Sequence, residues 1–381
     1  MRMVKTELPP LGLYVHLPWC VSKCPYCDFN SHALREKLPA EAYIRCLLED
    51  LQGEVSRAGA REVSHVYLGG GTPSLFSAQQ VEMLLTGLAG HAPIAPDAEI
   101  TLEANPGTVE HDAFEGYRDA GINRVSLGVQ SFDNEGLQRI GRIHGRDEAE
   151  RALESLRSSG IASFNVDLMF GLPGQSLRGA AEDIRIALDS GASHVSHYRL
   201  TLEPNTAFHA SPPSLPSDDM SWDMQESAVQ MLERAGFEQY EISAWARPGH
   251  QCRHNLNYWR YGDYLAIGAG AHGKLTTADG AVERIAKSRH PARYLAGDYV
   301  AERWRVSAAE RVFEFFLNQF RLRETVTPGR FESRTGLHFD GVRDRLDNAL
   351  GSGLLERDGD GYRHSEAGWR FVNDLQALFL P

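Results

Sequence analysis

Three cysteines near the N-terminus are the residues of this chain best suited to chemistry. Cys20, Cys24 and Cys27 have the spacing C-x3-C-x2-C and are set among prolines and aromatic residues. Three thiolates on one short loop can hold three corners of a [4Fe–4S] cluster. The fourth iron would then have no protein ligand nearby, and an open iron is what a cluster needs to bind and reduce a small molecule.

Two simpler uses of these cysteines compete with a cluster. A structural zinc site takes four ligands, usually as two separated pairs; His16 or His32 could complete one, but the sequence has no second C-x2-C pair. A disulfide would leave one cysteine unpaired, and the chain shows no signal peptide that would route it to an oxidising compartment. Cys46 and Cys252 stand alone in the sequence, and we interpret both as buried thiols.

A glycine-rich loop and four polar residues indicate a ligand site. Residues 69–74 read Gly-Gly-Gly-Thr-Pro-Ser after a predicted strand. Glycines let the backbone approach a ligand closely, whereas a tight turn alone would explain one or two of them. Glu103, Gln130, Arg142 and Asp167 could contact a nucleoside-like ligand, since carboxylates accept from hydroxyls or an amine and arginine grips a carboxylate. Salt bridges inside a barrel use the same residue types, so each residue alone carries little weight.

A second unusual cluster, Cys-Arg-His-Asn-Leu-Asn-Tyr-Trp, spans residues 252–259. His254 and Tyr258 are four residues apart and share a face of a helix, and either can ligate haem iron. Asn255 follows the histidine, and Trp259 offers a planar apolar surface for a macrocycle. The alternative is a structural loop in which His254 bonds to the backbone.

The segment 268–273 matches Gly-x-Gly-x-x-Gly. A dinucleotide site needs a following helix with an acidic residue about 20 positions on. The residues that follow here, Lys-Leu-Thr-Thr-Ala-Asp-Gly, are typical of a hairpin or loop, so we do not predict nicotinamide or flavin binding.

The first 270 residues alternate short apolar runs with longer amphipathic segments, which is typical of repeated β-α units around a parallel sheet. Six or more such units predict an α/β fold with a full or partial TIM-like (β/α) barrel. The predicted strands are 12–17, 62–68, 99–103, 124–129, 163–169, 194–200, 239–242 and 264–267. The predicted helices are 39–57, 77–89, 109–120, 146–158, 177–189 and 222–235.

The chemically suggestive residues nearly all fall at or just past the C-terminal end of a predicted strand. The cysteine loop follows the first strand, the glycine loop follows the second, and the polar residues Glu103, Gln130 and Asp167 end later strands. Barrel enzymes build their sites from the loops at this end. The sequence therefore predicts that these residues share one face of the barrel.

The pattern changes towards the C-terminus. Residues 275–306 look transitional, and helices at 308–321, 328–335 and 341–349 then precede a hairpin around 359–361 and a final helix. This order predicts a small winged-helix-like domain, with domains at 1–295 and 296–381. Residues 301–381 carry 12 Lys and Arg against 13 Asp and Glu, so no basic face for DNA is evident and we interpret the unit as a packing or lid domain.

Composition limits the function classes. The 381 residues are 42% hydrophobic and 24% charged, as in a soluble globular protein of two or three domains. No apolar run approaches the roughly 18 residues of a membrane span. Together with the absence of a signal peptide, this leads us to expect a cytoplasmic protein. The net charge of −12 argues against non-specific binding to nucleic acid or an anionic membrane.

The cysteine motif followed by Gly-Gly-Gly-Thr-Pro resembles the radical S-adenosylmethionine (SAM) superfamily. Over essentially its whole length the chain resembles the oxygen-independent coproporphyrinogen oxidase group. Within it, Pro-Trp-Cys-x3-Cys-Pro-Tyr-Cys-Asp-Phe and His-Asn-x2-Tyr-Trp resemble the HemW haem chaperone branch. The resemblance implies an open, partial barrel with a smaller C-terminal helical domain.

The resemblance also implies roles for individual residues. Cys20, Cys24 and Cys27 would hold a [4Fe–4S] cluster whose open iron is chelated by the amino and carboxylate groups of SAM. In the superfamily, one electron from the cluster cleaves SAM to a 5′-deoxyadenosyl radical. Positions matching the SAM contacts of the family are Tyr14, Gly70, Gly71, Thr72, Glu103, Gln130, Arg142 and Asp167. The haem motif of the chaperone branch matches His254, Asn255, Tyr258 and Trp259, with His254 as the candidate iron ligand.

Two features distinguish the chain from the oxidase it resembles. The oxidase motif continues as C-x3-C-x2-C-x-C, and Phe29 stands where the further cysteine would be; the oxidase also has a substantial N-terminal extension, whereas about ten residues precede the first strand here. We therefore expect a haem chaperone that delivers haem to recipient haemoproteins, with the cluster and SAM structural or regulatory. The alternative is a coproporphyrinogen III oxidase or dehydrogenase, and a third hypothesis is radical chemistry on another substrate. Whether the chain is an enzyme stays open. An electron donor is expected only if SAM is cleaved, and membrane-associated partners would be transient.

Overall fold

The apolar runs of the sequence become strands of one large sheet. The computed structural model describes residues 8–111 and 114–381. Within them the strands are β1 (Leu11–Leu17), β2 (Trp19–Cys20), β3 (His32–Ala33), β4 (Val63–Gly70), β5 (Ile94–Ala104), β6 (Arg124–Gln130), β7 (Ser163–Phe170), β8 (His194–Arg199), β9 (Glu238–Glu241), β10 (Ala244–Ala246), β11 (Asp263–Ile267), β12 (His272–Thr276), β13 (Val282–Lys287), β14 (Val300–Arg305), β15 (Leu355–Asp358) and β16 (Gly361–His364).

The helices are α1 (Ala40–Ala58), α2 (Ala78–His91), α3 (Phe114–Asp119), α4 (Asn134–Arg139), α5 (Arg146–Ser158), α6 (Leu177–Asp189), α7 (Ala207–Ala210), α8 (Asp218–Arg234), α9 (Arg253–Trp259), α10 (Pro291–Leu295), α11 (Ala308–Gln319), α12 (Pro328–Thr335), α13 (Arg343–Gly351), α14 (Glu366–Arg370) and α15 (Val372–Ala377). Short 3-10 helices span Pro73–Leu75, Pro106–His111 and Phe339–Val342. A serine precedes each of the helices α2, α6 and α8. The side chains of Ser77, Ser176 and Ser217 accept a hydrogen bond from a backbone N–H in the first turn, which satisfies a donor that has no partner within the helix.

The predicted open barrel is confirmed. The twelve strands of the large sheet, as far as the chain is described, run in the order β14-β13-β12-β11-β1-β4-β5-β6-β7-β8-β10-β9. The seven strands from β11 to β8 are parallel, and the outer strands are antiparallel. The strand order does not close on itself. Because they are parallel, β1, β4, β5, β6 and β7 have their carboxyl ends at one end of this partial barrel.

Two regions differ from the sequence prediction. Residues 275–306 are not transitional: they contain β13 and β14 and extend the sheet to Arg305. Strand β13 is buried or partly buried whereas β14 is mostly exposed, and the two strands together are rich in Arg, Glu and Lys. These charged residues hide the apolar signal of a strand. The helix predicted at 109–120 is a 3-10 helix followed by α3, with residues 112 and 113 outside the described residues. The N-terminal segment in which a signal peptide was sought lies largely outside the described residues as well.

The Gly-x-Gly-x-x-Gly segment agrees with the prediction, since it leads into strand β12 rather than into a helix.

The C-terminal helices and hairpin form the small winged-helix-like unit that the sequence predicts, in the order α11 to α13, β15–β16, α14 and α15. Its core is aromatic: Phe316 is fully buried, and its ring lies 3.9 Å from that of Phe379 between centroids. The division at 295/296 stays a prediction. In the described part of the chain, no helix is both long enough and apolar enough to cross a membrane.

Candidate functional site

The cysteine loop folds onto the end of β1 as a small lobe. Cys20 lies in β2, which pairs with β3 beyond the motif, and the Cys27 N–H donates to the Cys24 carbonyl at 3.1 Å to close a turn. All three thiols are partly exposed and unbridged. They line one cavity of about 370 Å³, so the structure brings the predicted cluster ligands to a common space.

The glycine loop packs against this lobe. Gly70 has a φ of +117°, and a Cβ there would lie 2.6 Å from the His16 ring; a Cβ on Gly71 would lie 2.5 Å from the Trp19 carbonyl oxygen. The Thr72 N–H donates to that same oxygen at 2.7 Å. The glycines are therefore needed for two backbone segments to approach each other, and Gly70 and Gly71 also line the cavity.

The polar residues predicted from the strand ends converge on the same cavity. The predicted SAM contacts that line it are Gly70, Gly71, Thr72, Glu103, Gln130, Arg142 and Asp167. Tyr14 does not line it: the Tyr14 hydroxyl contacts His16 Nδ1 at 2.9 Å, and its ring lies 6.2 Å from the Tyr67 ring between centroids. A direct contact between Tyr14 and a bound ligand stays a prediction.

Sequence reasoning missed several residues of the cavity wall. The Tyr67 hydroxyl donates to Glu103 Oε1 at 2.8 Å, and Asn165 Nδ2 donates to Asp167 Oδ1 at 2.8 Å. Residues two apart on a strand face the same side, so Asn165 could have been found from Asp167, whereas no sequence signal singles out Tyr67. Further lining residues that were not predicted are Tyr26, Asn105, Arg124, Ser126, His194, Ser196 and Tyr198.

Gln130 has a backbone conformation unusual for its residue type. Its φ is +71° at the end of β6, a region that costs a residue other than glycine about 1–3 kcal/mol. The Tyr198 hydroxyl donates to Gln130 Oε1 at 2.7 Å, which fixes the side chain at the cavity wall. Such strain is typical of a site where side-chain position matters more than local stability.

Two carboxyl groups in the cavity wall, those of Glu103 and Asp167, give the cavity its electrostatic character. Burial raises the pKa of Glu103 to about 7, although hydrogen bonds from the Tyr67 hydroxyl and the Gly70 N–H act to lower it. Burial likewise raises the pKa of Asp167, against hydrogen bonds that include one from Asn165. A ligand that donates N–H or O–H groups would stabilise both ionised forms.

Arg142 provides positive charge beside the cysteines. Its Nη1 lies 3.9 Å from Cys24 Sγ. Burial acts to lower the pKa of Arg142, but its interactions with Tyr26 and Cys24 outweigh that effect and raise it. A fixed cation at this place offsets the negative charge that cysteine thiolates carry when they bind a metal. The three cysteine thiols beside this cation therefore fit an iron–sulfur cluster.

The arrangement of metal-binding side chains does not fit a structural zinc site. The described ranges hold no group of three His, Cys, Asp or Glu side chains gathered for one metal ion. Zinc needs its ligands to converge on one point, whereas a [4Fe–4S] cluster spreads three thiolates over three irons. His16 is engaged elsewhere, with its Nε2 2.9 Å from the Asn30 carbonyl oxygen.

The two cysteines outside the motif differ in burial. Cys252 is buried as predicted, but Cys46 is only half-buried.

The segment with the haem-type motif is helix α9, not a loop. His254 is 6% exposed; its ring stacks on Tyr67 with centroids 4.2 Å apart and meets Tyr258 edge-on at 4.6 Å. His254 Nδ1 is buried and has no hydrogen-bond partner among the described residues. Burial, with smaller contributions from His65 and Arg124, holds the pKa of His254 well below its ordinary value. The imidazole is neutral and enclosed.

The other members of the motif point in different directions. Asn255 lines the cavity. Trp259 lies under the Arg321 guanidinium, 4.3 Å from the ring centroid, so its indole packs against the C-terminal unit. The structure thus places α9 between the cavity and the C-terminal helices.

Comparisons with known proteins agree with this architecture. Residues 14–187 match the Radical SAM superfamily, and residues 306–371 match the HemN C-terminal domain. The chain is 52% identical over 374 residues to the heme chaperone HemW of Escherichia coli, covering 98% of this chain and 99% of that protein. It is 50% identical over 378 residues to the heme chaperone HemW of Haemophilus influenzae, with 98% and 99% covered.

Among solved structures, coproporphyrinogen III oxidase (HemN) from Escherichia coli superposes with a TM-score of 0.82 at 22% identity, covering 98% of this chain and 90% of that one. That likeness shows a shared fold. With a superfamily match over residues 14–187 and similarity over 98% of the chain to relatives at 52% and 50% identity, this chain belongs to the HemW group of the radical SAM superfamily.

Proposed function

We propose that this protein is a haem chaperone, which binds haem and transfers it to recipient haemoproteins. The similarity to relatives named heme chaperone HemW carries the proposal, because it extends over 98% of the chain and so includes the α9 motif. Phe29 adds support: it is 61% exposed at the cavity edge, where the oxidase motif would have a further cysteine. On this proposal the protein acts in the cytoplasm and meets membrane-associated recipients transiently.

The cavity would hold a [4Fe–4S] cluster and SAM. The cluster would be held by Cys20, Cys24 and Cys27. When bound, the pair supplies one-electron chemistry at an open iron. Glu103 and Asp167 would accept hydrogen bonds from SAM, Gly70 and Gly71 would let the backbone approach it, and Arg142 would balance the charge of the thiolates. In the chaperone these residues serve a structural or regulatory purpose.

Haem is the cargo, and α9 is its proposed site. His254 is the candidate iron ligand, with Asn255, Tyr258 and Trp259 completing the motif. Because the imidazole is neutral, its nitrogen lone pair is available to a metal once the ring is uncovered.

The residues of the cavity wall are also compatible with one alternative function, that of a coproporphyrinogen III oxidase or dehydrogenase. Every predicted SAM contact except Tyr14 lines the cavity, as an active coproporphyrinogen III oxidase or dehydrogenase would require. Such an enzyme would also need an electron donor. The chaperone proposal, in contrast, predicts that anaerobic incubation with coproporphyrinogen III, SAM and a reductant releases no CO₂.

An anaerobic haem titration followed by the Soret band tests the chaperone directly. The cluster-loaded protein should saturate near one haem per chain, and His254→Ala should weaken binding or shift the band. His91→Ala is the control, because His91 is an exposed histidine at the end of α2. Absence of specific haem binding, or CO₂ release from coproporphyrinogen III, would contradict the proposal. Unchanged haem binding in His254→Ala would contradict the ligand assignment alone.

A further inference from the structure

A partly buried carboxylate on β5, that of Glu99, holds the first turn of α9. Glu99 Oε1 accepts hydrogen bonds from the backbone N–H groups of Arg253, at 2.9 Å, and His254, at 3.3 Å. The Cys252 thiol lies 3.6 Å from the same oxygen and donates to it. Arg124, which is 3% exposed, adds a positive charge 3.9 Å from the other carboxylate oxygen. One side chain of the barrel therefore fixes the backbone on which His254 stands.

The position fixed in this way is closed to haem. Aromatic rings of Tyr67, Tyr258 and His65 surround the His254 imidazole, with centroids 4.2, 4.6 and 5.4 Å away. An iron ligand must present a ring nitrogen in the ring plane to a large flat macrocycle. His254 Nδ1 is buried among the described side chains, and the whole residue is 6% exposed. A porphyrin reaches this imidazole only if the first turn of α9 moves away from β4 and β5.

The other end of α9 is held by the C-terminal part of the chain. Arg260 Nε donates to Glu324 Oε1 at 3.1 Å, directly after the helix, and Arg321 covers Trp259. The Tyr261 hydroxyl donates to Glu314 Oε2 at 2.6 Å. These contacts leave the first turn as the part of α9 whose release uncovers His254.

We propose that Glu99 is a positioning residue that latches α9 in the closed state, and that haem binding by His254 requires this latch to open. The inference rests on the proposed function and deepens it, because it assigns a regulatory contact to the haem site. The latch lies on the barrel side of the helix, next to Asn255, which lines the cavity. Glu99 does not line the cavity that contains Cys20, Cys24 and Cys27.

Glu99→Gln tests the latch with little change of shape. The amide oxygen still accepts a hydrogen bond, but the bond loses the strength that a charged acceptor gives it. We expect the open state to become about fivefold more populated, from the difference between charged and neutral hydrogen bonds. Asp97→Asn is the matched control: Asp97 accepts from Arg253 Nη1 at 3.3 Å at the same end of the helix, but is exposed and does not touch the α9 backbone.

Two readouts separate the latch from the haem proposal. The first is the rate at which diethyl pyrocarbonate modifies His254, located by peptide mass mapping, which needs no haem; it should rise about fivefold in Glu99→Gln and stay unchanged in Asp97→Asn. The second is the haem association rate, which should rise by a similar factor. A thermal unfolding curve checks that each variant is folded.

The outcomes are distinct. If His254 reactivity is unchanged in folded Glu99→Gln, the latch is overturned and Glu99 is only structural. If haem associates more slowly with this variant, Glu99 organises the haem-bound state and the closed-state proposal is wrong. If the wild-type protein binds no haem while His254 reactivity still rises, the proposed function fails and the role of the latch in haem binding fails with it, although the contact itself is confirmed.

Discussion

The ionisation of Glu103 in the cavity wall should lower the stability of the ligand-free protein by a measurable amount. Burial raises the pKa of Glu103 from 4.5 to about 7, so above pH 7 the ligand-free protein carries a carboxylate that ionises less easily in the folded protein than in the unfolded chain. Each pKa unit corresponds to about 1.4 kcal/mol. The ionised side chain therefore lowers the free energy of unfolding by about 3 kcal/mol above pH 7. The penalty is absent below pH 4.5, where both states are protonated, and it grows between pH 4.5 and 7.

Glu103→Gln removes this ionisation and keeps an oxygen that can accept from the Tyr67 hydroxyl. Ligand-free Glu103→Gln should be more stable than the wild type by up to about 3 kcal/mol above pH 7, and the difference should vanish towards pH 4.5. Urea unfolding at a series of pH values measures it. With SAM and the cluster present the order should reverse, because only the wild type gains stability from a ligand that donates to the carboxylate. Equal stabilities of the two ligand-free proteins across this range would refute the argument.

Three further substitutions test other parts of the structure. Cys24→Ser should abolish bound iron and sulfide, whereas Cys46→Ser should retain them, as measured by metal and sulfide analysis. Lys287→Met should cost about 3–5 kcal/mol, because Lys287 is fully buried, lies 2.8 Å from Glu54 Oε1 and also bonds Asp50; a loss below about 1 kcal/mol in urea unfolding would contradict this. Phe316→Ala should cost about 3–5 kcal/mol, read from unfolding of the C-terminal unit, and an unchanged transition would refute the aromatic core.

The fold was predictable where an element buries one clear face. The helices 146–158 and 177–189 have the predicted bounds, because apolar residues recur there at helical spacing between capping residues. Strand β14 was missed because it lies on the sheet edge, mostly exposed and rich in charged residues. Its place in the sheet comes from pairing with β13, a partner that local pattern does not reveal.

The site was predictable where residues end strands, since parallel strands bring their carboxyl ends together. Glu103 and Asp167 are 64 positions apart in sequence yet line one cavity, as strand order alone indicates. The enclosure of His254 was not predictable. It depends on Tyr67 of β4 and Glu99 of β5 meeting a helix more than 150 residues later, and neither residue belongs to a motif.

Transfer of haem to an acceptor tests the central claim most directly. Protein loaded with haem under anaerobic conditions is mixed with an excess of a haem-free globin, and the Soret spectrum of the globin is followed after the two proteins are separated. We predict that the cluster-loaded protein transfers its haem faster than haem dissociates from it into acceptor-free buffer. Tight haem retention with no transfer, or no haem loading at all, would contradict the account of this protein as a haem chaperone.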